Sequence, residues 1–432
     1  ISQLFMLNKT DPSPLNTDEC LDNFHHSRQY SIDLVANLSP EDCQAQSMED
    51  ASPAKWHLAH VTWFYELMLL KPFEKNFAFW NSEFAVLFNS YYNGIGDKHP
   101  RNKRGLLTRP SMEQVLAWRE NINDRVTALL KKPSSATLLW LLQLGINHEQ
   151  QHQELLLTDI HHLFSNNSLY PTYFREMDLT KSEDVQFEWL KGISGLVNTG
   201  YEGDDFHFDN ETPKHSALNQ THAIGNRLVT NSEWLQFIED GGYRDFRWWF
   251  DTGWAWLQAH EITAPLYWNK TTENSFTINY FDQLIPIECL YNYPVINVSW
   301  YEAEAFANWK KCRLLYEDEW EYMAKKSPIN YEDLNIDYRN QYIVEYNEKY
   351  TNEDNINELM GSNYEWCQEP IYPYDGFVID PLYREMSYPF FGFKRVCRGA
   401  SWCTAKELAY PSYRNAQYPD CANQYIGFRI AL

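Results

Sequence analysis

Apolar residues recur at helical spacing through roughly the first 170 positions and lose that period afterwards. Asp18–Leu38 predicts a first helix, and Leu38-Ser39-Pro40-Glu41-Asp42 a turn. Ser52 followed by Pro53 predicts an N-cap and a first-turn proline, opening an apolar helix to about Leu70. Ser111 and Gln114 form a capping-box pattern at the head of a helix that runs to Lys131. Leu138–Phe164 is rich in helix formers and has no internal proline, which predicts a fourth helix. Four such helices within about 170 residues predict an antiparallel four-helix bundle with a site between facing helices.

After Phe164 comes a polar connection, Pro171–Asp184. From Phe187 short aromatic and β-branched runs are broken by Gly, Asn and Asp, as in Gly195–Gly200 and Pro294–Trp300. Two short helices interrupt them: Thr230–Asp240, capped at Thr230 or Asn231, and Ser299–Lys310. Arg313–Tyr322 predicts a turn into a further helix. The pattern predicts an α+β protein: a helical domain over 15–170, then a loop-rich domain over 185–432.

Composition narrows the function classes. A formal net charge of −23 argues against a nucleic-acid partner, because phosphate backbones are met by Lys and Arg surfaces. No run of about 18 apolar residues predicts a membrane span. Ile1–Leu15 lacks the basic start and long apolar centre of a signal peptide, and the 8 cysteines form no C-x-x-C pair. Mostly free thiols in a reducing cytoplasm are expected. Aromatics make up 16% of the chain, which suits large pockets and an aromatic-stapled second domain.

The chemistry centres on His148-Glu149-Gln150-Gln151-His152. Two His at i and i+4 share one helix face and can hold one divalent metal with a third ligand from elsewhere. The plain alternative is two His facing a polar bundle interior. The string also matches the H-E-x-x-H zinc-protease pattern, but position 158, where a further protease His would stand, is Thr158. Glu176 is a possible downstream ligand. His60, on a neighbouring helix, is the better upstream one, with His57 its competitor. Three neutral imidazoles suit Fe(II) with open positions, and also catalytic zinc. Tyr91-Tyr92 lies in a loop after the second of the four main helices; a phenol near a metal can donate a proton. Arg101 and Arg104 can fork onto a carboxylate, and Arg414-Asn415 can face a pocket.

These strings together resemble a known family. W-H-L-A-H-x-T-W-F, S-Y-Y-N, H-P-R-x-x-R-G and H-E-Q-Q-H-Q-E are similar to the nonheme-iron sulfoxide synthases of ergothioneine biosynthesis, whose first half is a DinB-like four-helix bundle. R-L-x-x-E-x-E-W-E-Y, G-x-x-x-E-W-C, R-G-A-S-W and the closing G-F-R-I resemble the formylglycine-generating-enzyme type, a C-type-lectin-like fold. The resemblance implies Fe(II) on His60, His148 and His152, with dioxygen as co-substrate and His57 packing behind. It implies that Gln151 binds a histidine-derived substrate, that Arg101 and Arg104 bind the carboxylate of a thiol, and that Asn415 lies near a trimethylammonium group. The adjacent Tyr91-Tyr92 resembles the branch that uses free cysteine, with one of the pair as the acid. The implied reaction joins the cysteine thiol to the imidazole C2 of trimethylhistidine and oxidises the sulfur. Where the family usually carries aromatic residues after the Arg-Asn pair, this chain has Ala416-Gln417, so plain histidine or a selenium donor are alternatives. A zinc-dependent DinB-like hydrolase or thiol transferase, and a non-catalytic binding protein on a lectin-like scaffold, are the competing classes.

Overall fold

Side-chain caps set where the helices of the N-terminal part begin. The computed structural model describes residues 16–92, 94, 96–132, 134–173, 185–271, 275–326, 330–338, 356–384 and 387–432. The first fifteen residues, Glu176 and most of the expected polar connection lie outside them. Helix α1 (Thr17–Asp33) starts at Asn16, whose side chain accepts from the Asp18 N–H. It stops short of Leu38, and Ser39 with Asp42 forms a reciprocal capping box that opens a short helix α2 (Pro40–Gln44) in place of the expected turn.

Helix α3 (Ala54–Tyr65) has Pro53 itself at the N-cap position and no side-chain cap. Ser52 is not the cap, because its groups are used elsewhere: its hydroxyl accepts from Arg104 and its N–H donates to Asp159. The helix continues through a π-helical turn, Glu66–Leu70. Helix α4 (Met112–Leu130) has the expected Ser111–Gln114 box, and α5 (Ala136–Ser165) begins at a Ser135 cap. Every residue of α3 is buried, as suits a central helix packed on both α4 and α5. Gly145 is needed where α5 meets α3: a Cβ there would lie 2.5 Å from the Tyr65 ring.

One buried polar cluster ties four of these helices. Glu149 accepts from Arg28 of α1 at 3.1 Å, from Ser31 at 2.6 Å, and from Arg119 of α4. Arg28 also donates to Thr62 of α3 at 3.0 Å. Burial pushes the Glu149 carboxyl up, but the Arg119 and Arg28 charges outweigh it and hold it at about 2.

The chain divides into two compact units. The first comprises Ile1–Tyr173, Gly203–Phe206 and Asp380–Met386, and the second the rest. In the second, β1 (Trp189–Lys191), β4 (Ala223–Gly225), β13 (Ile430–Ala431) and β8 (Arg313–Leu314) form one sheet in the order β1-β4-β13-β8. A second sheet runs β11-β10-β9-β12, from Asn415–Gln417, Arg395–Arg398, Tyr364–Pro370 and Ile426–Gly427. β2 (Ser194–Thr199) pairs with β3 (His215–Gln220), and β5, β6 and β7 (Trp268–Lys270, Phe276–Tyr280, Gln283–Pro286) form a meander. Helices α6 (Asn231–Glu239), α8 (Trp300–Lys310) and α9 (Glu317–Lys326) fall where the pattern places them; α7 (Asp251–Ala259) is an addition to it.

The Gly-Arg-aromatic strings are scaffold. Trp320, Trp366 and Trp402 are fully buried. Arg429 grips Glu365 with two bonds of 3.0 Å, and Arg398 pairs with Glu321. Arg414 is bidentate to Glu317 at 2.8 and 2.6 Å and donates to the carbonyls of Asn210 and Tyr372. α+β architecture with a helical first part and a lectin-like second part is what the pattern and the resemblance imply.

Glu149→Gln leaves two buried arginines short of a counter-charge, so chemical denaturation is expected to show a loss of about 3–5 kcal/mol. The folded pKa of Glu149 lies below its ordinary value of 4.5, so its stabilisation is complete above that pH and is lost as pH falls toward 2. Denaturation midpoints of the wild type should therefore drop across that window more steeply than those of the variant.

Candidate metal centre

Helices α3 and α5 present four histidines to one another. His60, His148 and His152 each bring a ring nitrogen within 4.8 Å of the other two. Among the described residues this is the one group of three or more potential ligands that close. His60 and His148 are buried, and His152 is partly so.

Each ring has its orientation set by a neighbour. The Nδ1–H of His60 donates to the Phe88 carbonyl at 2.6 Å, which leaves Nε2 with its lone pair; that atom is buried and has no hydrogen-bond partner. The loop that supplies Phe88 is pinned to α3 by Trp63 Nε1, which donates to the Ala85 carbonyl at 3.0 Å. His152 Nδ1 lies 2.9 Å from His57 Nδ1, and His57 Nε2 lies 2.9 Å from Asp159 Oδ2. The carboxylate can only accept, so His57 carries its proton on Nε2. With His57 neutral, its Nδ1 accepts from His152, whose Nε2 is then left with a lone pair. His148 Nδ1 is buried without a partner. Burial lowers the pKa of all three, His148 to about 3, so the rings are neutral as metal ligands must be. An orphaned buried Nε2, an orphaned Nδ1 and a fixed third ring fit a divalent metal.

Aromatic packing holds the ligands in place. The His60 ring stacks on Trp56 at 4.7 Å and on Trp63 at 5.3 Å, and His148 stacks on Phe64 at 4.5 Å. Trp56 also carries the Arg104 guanidinium, 3.4 Å from its ring centre. A desolvated contact of this kind is worth about 2 kcal/mol.

The expected tyrosines reach the same place. Asn89 fixes their loop by donating to the carbonyls of Tyr92, Gly96 and Asp97 at 3.1–3.2 Å and accepting from the Tyr92 N–H. The buried Tyr92 hydroxyl lies 3.4 Å from His148 Nε2 and donates to the Tyr383 hydroxyl at 2.9 Å. Tyr91 stacks on Tyr92, with its own hydroxyl 3.5 Å from that of Tyr383. Burial, then Tyr383 and Tyr91, raise the Tyr92 pKa well above 10, so the phenol is protonated at neutral pH.

The two arginines separate. Arg104 is buried, donates to Ser52 Oγ at 2.8 Å, and keeps its Nε–H without a partner. Burial and Arg101 pull its pKa down to about 9, which still leaves it cationic at neutral pH. Arg101 is exposed and donates to the Asp50 carbonyl. Gln151 sits beside His152 on α5, partly exposed. Asn415 lies in the second unit on β11, where its side-chain oxygen accepts from the Ala416 N–H. Ala416 packs there against Val396 and its neighbours.

Glu149, inside the His pair, turns to Arg28 and Arg119 instead of the ligands. The general-base role of the H-E-x-x-H protease pattern needs that carboxylate at the metal, so the pattern match is overturned by geometry. Tyr383 was invisible to sequence reasoning: it is 291 positions from Tyr92, and no periodicity links them. Asp159 did leave a signal, since it follows His152 by two helical turns on the same face.

A buried group of three histidines that fits a divalent metal, in a helical bundle followed by a loop-rich α+β part, defines the class. The sulfatase-modifying factor enzyme 1-like domain matches residues 193–432, and the DinB superfamily matches residues 23–156. The chain belongs to the sulfatase-modifying factor enzyme 1-like family. It is 28% identical to hercynine oxygenase of Mycolicibacterium thermoresistibile, across 88% of this chain and 87% of that one. It is 27% identical to hercynine oxygenase of Mycobacterium tuberculosis, across 88% and 91%. Ergothioneine biosynthesis protein 1 of Schizosaccharomyces pombe is 23% identical across 52% of this chain and 27% of its own length. The resemblance to the sulfoxide synthases of ergothioneine biosynthesis thus spans both parts of the chain. No helix among the described residues is long and apolar enough to cross a membrane.

A divalent metal should raise the melting temperature of the wild type, because it binds only the folded site. His148→Ala should abolish that rise while the metal-free protein still melts cooperatively. An equal rise in the variant would move the site elsewhere.

Proposed function

We propose that this protein is an iron-dependent oxygenase of the ergothioneine pathway, joining the thiol of cysteine to the imidazole C2 of trimethylhistidine. The balance is one thiol S–H and one imidazole C2–H consumed with one dioxygen, giving the C–S bond, the sulfoxide oxygen and one water. The observation that carries the reading is the convergence of three neutral imidazoles with a protonated Tyr92 at 3.4 Å from one of them. Similarity to two hercynine oxygenases across 88% of the chain supports it.

Fe(II) held by His60, His148 and His152 would supply open positions at which thiolate, imidazole and dioxygen are gathered. The chain's own residues do the remainder. Arg104 has a buried Nε–H without a partner, the edge a substrate carboxylate takes up, with Arg101 near the surface beside it. Gln151, next to His152, is the residue to orient the histidine-type substrate. Tyr92 holds a proton at Oη, 3.4 Å from His148 Nε2, and Tyr383 is placed to replenish it. Asn415 is the residue we assign to the trimethylammonium end. The lack of an aromatic at Ala416-Gln417 keeps plain histidine in the test.

The test is oxygen uptake by Fe(II)-loaded protein with trimethylhistidine and cysteine, with mass spectrometry of the product. An adduct of both substrates carrying one added oxygen is expected, and histidine or γ-glutamylcysteine in place of either substrate should rank lower. No uptake with any pair, from a protein that keeps zinc in preference to iron, would contradict the reading and favour the hydrolase or transferase class. Tyr92→Phe should slow sulfoxide formation by roughly 100-fold or more with cysteine affinity unchanged.

A further inference from the structure

Behind the ligands lies a chain of polar contacts that the proposed chemistry does not itself use. Asp159 is buried on α5, and its Oδ2 accepts two hydrogen bonds: from His57 Nε2 at 2.9 Å and from the Ser52 N–H at 2.8 Å. The first leads through His57 Nδ1 to His152 at 2.9 Å. The second leads through Ser52 Oγ to Arg104 at 2.8 Å. One carboxylate oxygen therefore stands behind both a metal-facing imidazole and a buried guanidinium. Ser52 and His57 flank the start of α3, so the branch point also fixes α3 against α5.

We propose that Asp159 is a positioning residue shared by the two halves of the site. Through His57 it fixes which nitrogen of His152 is offered to the metal, and through Ser52 it aims Arg104 at a carboxylate. A carboxylate at this point cannot donate, so it admits only the His57 tautomer with hydrogen on Nε2. That tautomer in turn requires the Nδ1 of His152 to be the donor, and leaves Nε2 for the metal. The arginine branch rests on the functional reading above; the histidine branch rests only on a metal at the three histidines.

The experiment uses the full chain and two constants. Equilibrium dialysis gives the Co(II) affinity, and the ratio of cysteamine to cysteine dissociation constants in the Co(II) protein reports the carboxylate contact alone. Asp159→Ala is expected to weaken Co(II) binding about 10–100-fold and to shrink the cysteine preference about 2–10-fold. His57→Phe should move only the Co(II) affinity, and Ser52→Ala only the preference. His57→Gln, whose side-chain oxygen can still accept from His152, should restore most of the Co(II) affinity and the visible spectrum of the bound ion. If Asp159→Ala does not fold, Asp159→Asn is read instead, with smaller losses in both constants. Wild-type values of both constants in the Asp159 variant would overturn the proposal, as would His57→Phe and Ser52→Ala each moving both constants. A wild type with no preference for cysteine over cysteamine would remove the arginine branch and the carboxylate part of the functional reading together. The Co(II) constants would then still decide the histidine branch.

Discussion

A neutral imidazole inside a helical bundle has one proton and one lone pair, and burial leaves no water to satisfy either. That constraint governs α3 and α5. His60 gives its proton to the Phe88 carbonyl, and His152 Nδ1 shares a hydrogen bond of 2.9 Å with His57 Nδ1. The lone pairs left over point into one small volume. Leaving them there unpaired is costly in any protein whose purpose is stability alone. The cost is offset when a cation occupies the volume, which is why the arrangement reads as a metal centre and not as packing.

The rest of the bundle makes that arrangement rigid. Glu149 lies inside the His pair in sequence yet on the other side of α5, where Arg28 and Arg119 hold it. One helix thus carries ligands on one face and a structural ion cluster on another, and the cluster fixes the rotation that aims the ligands. Trp56, Trp63 and Phe64 clamp the imidazoles by stacking, and Trp56 extends the clamp to Arg104. A protonated phenol, Tyr92, closes one side. Ligands, cation and acid are all seated on side chains that are themselves locked, the condition for precise positioning.

Much of this was legible in the chain. The i,i+4 His pair, the helical period and the Ser111–Gln114 box each depend on local geometry, and local geometry is what spacing encodes. The resemblance carried the second part, whose short strands leave little periodic signal. What spacing could not carry was long-range. Tyr383 meets Tyr92 only through the fold, and Ser52 proved to serve Arg104 and Asp159 instead of capping α3. Arg101 and Arg104 look equivalent three positions apart, yet one is buried on Trp56 and the other is exposed. The Arg414 side chain offered a pocket residue by sequence; Glu317, a buried carboxylate 97 positions away, claims it.

X-ray absorption at the iron edge tests the central claim most directly. The Fe(II)-loaded protein should show imidazole nitrogen scatterers at roughly 2.1 Å, and cysteine should add one sulfur at roughly 2.3 Å. The sulfur shell should vanish in His60→Ala, which loses the metal. An iron shell without imidazole, or one that cysteine leaves unchanged, would contradict a three-histidine centre that gathers a thiol substrate.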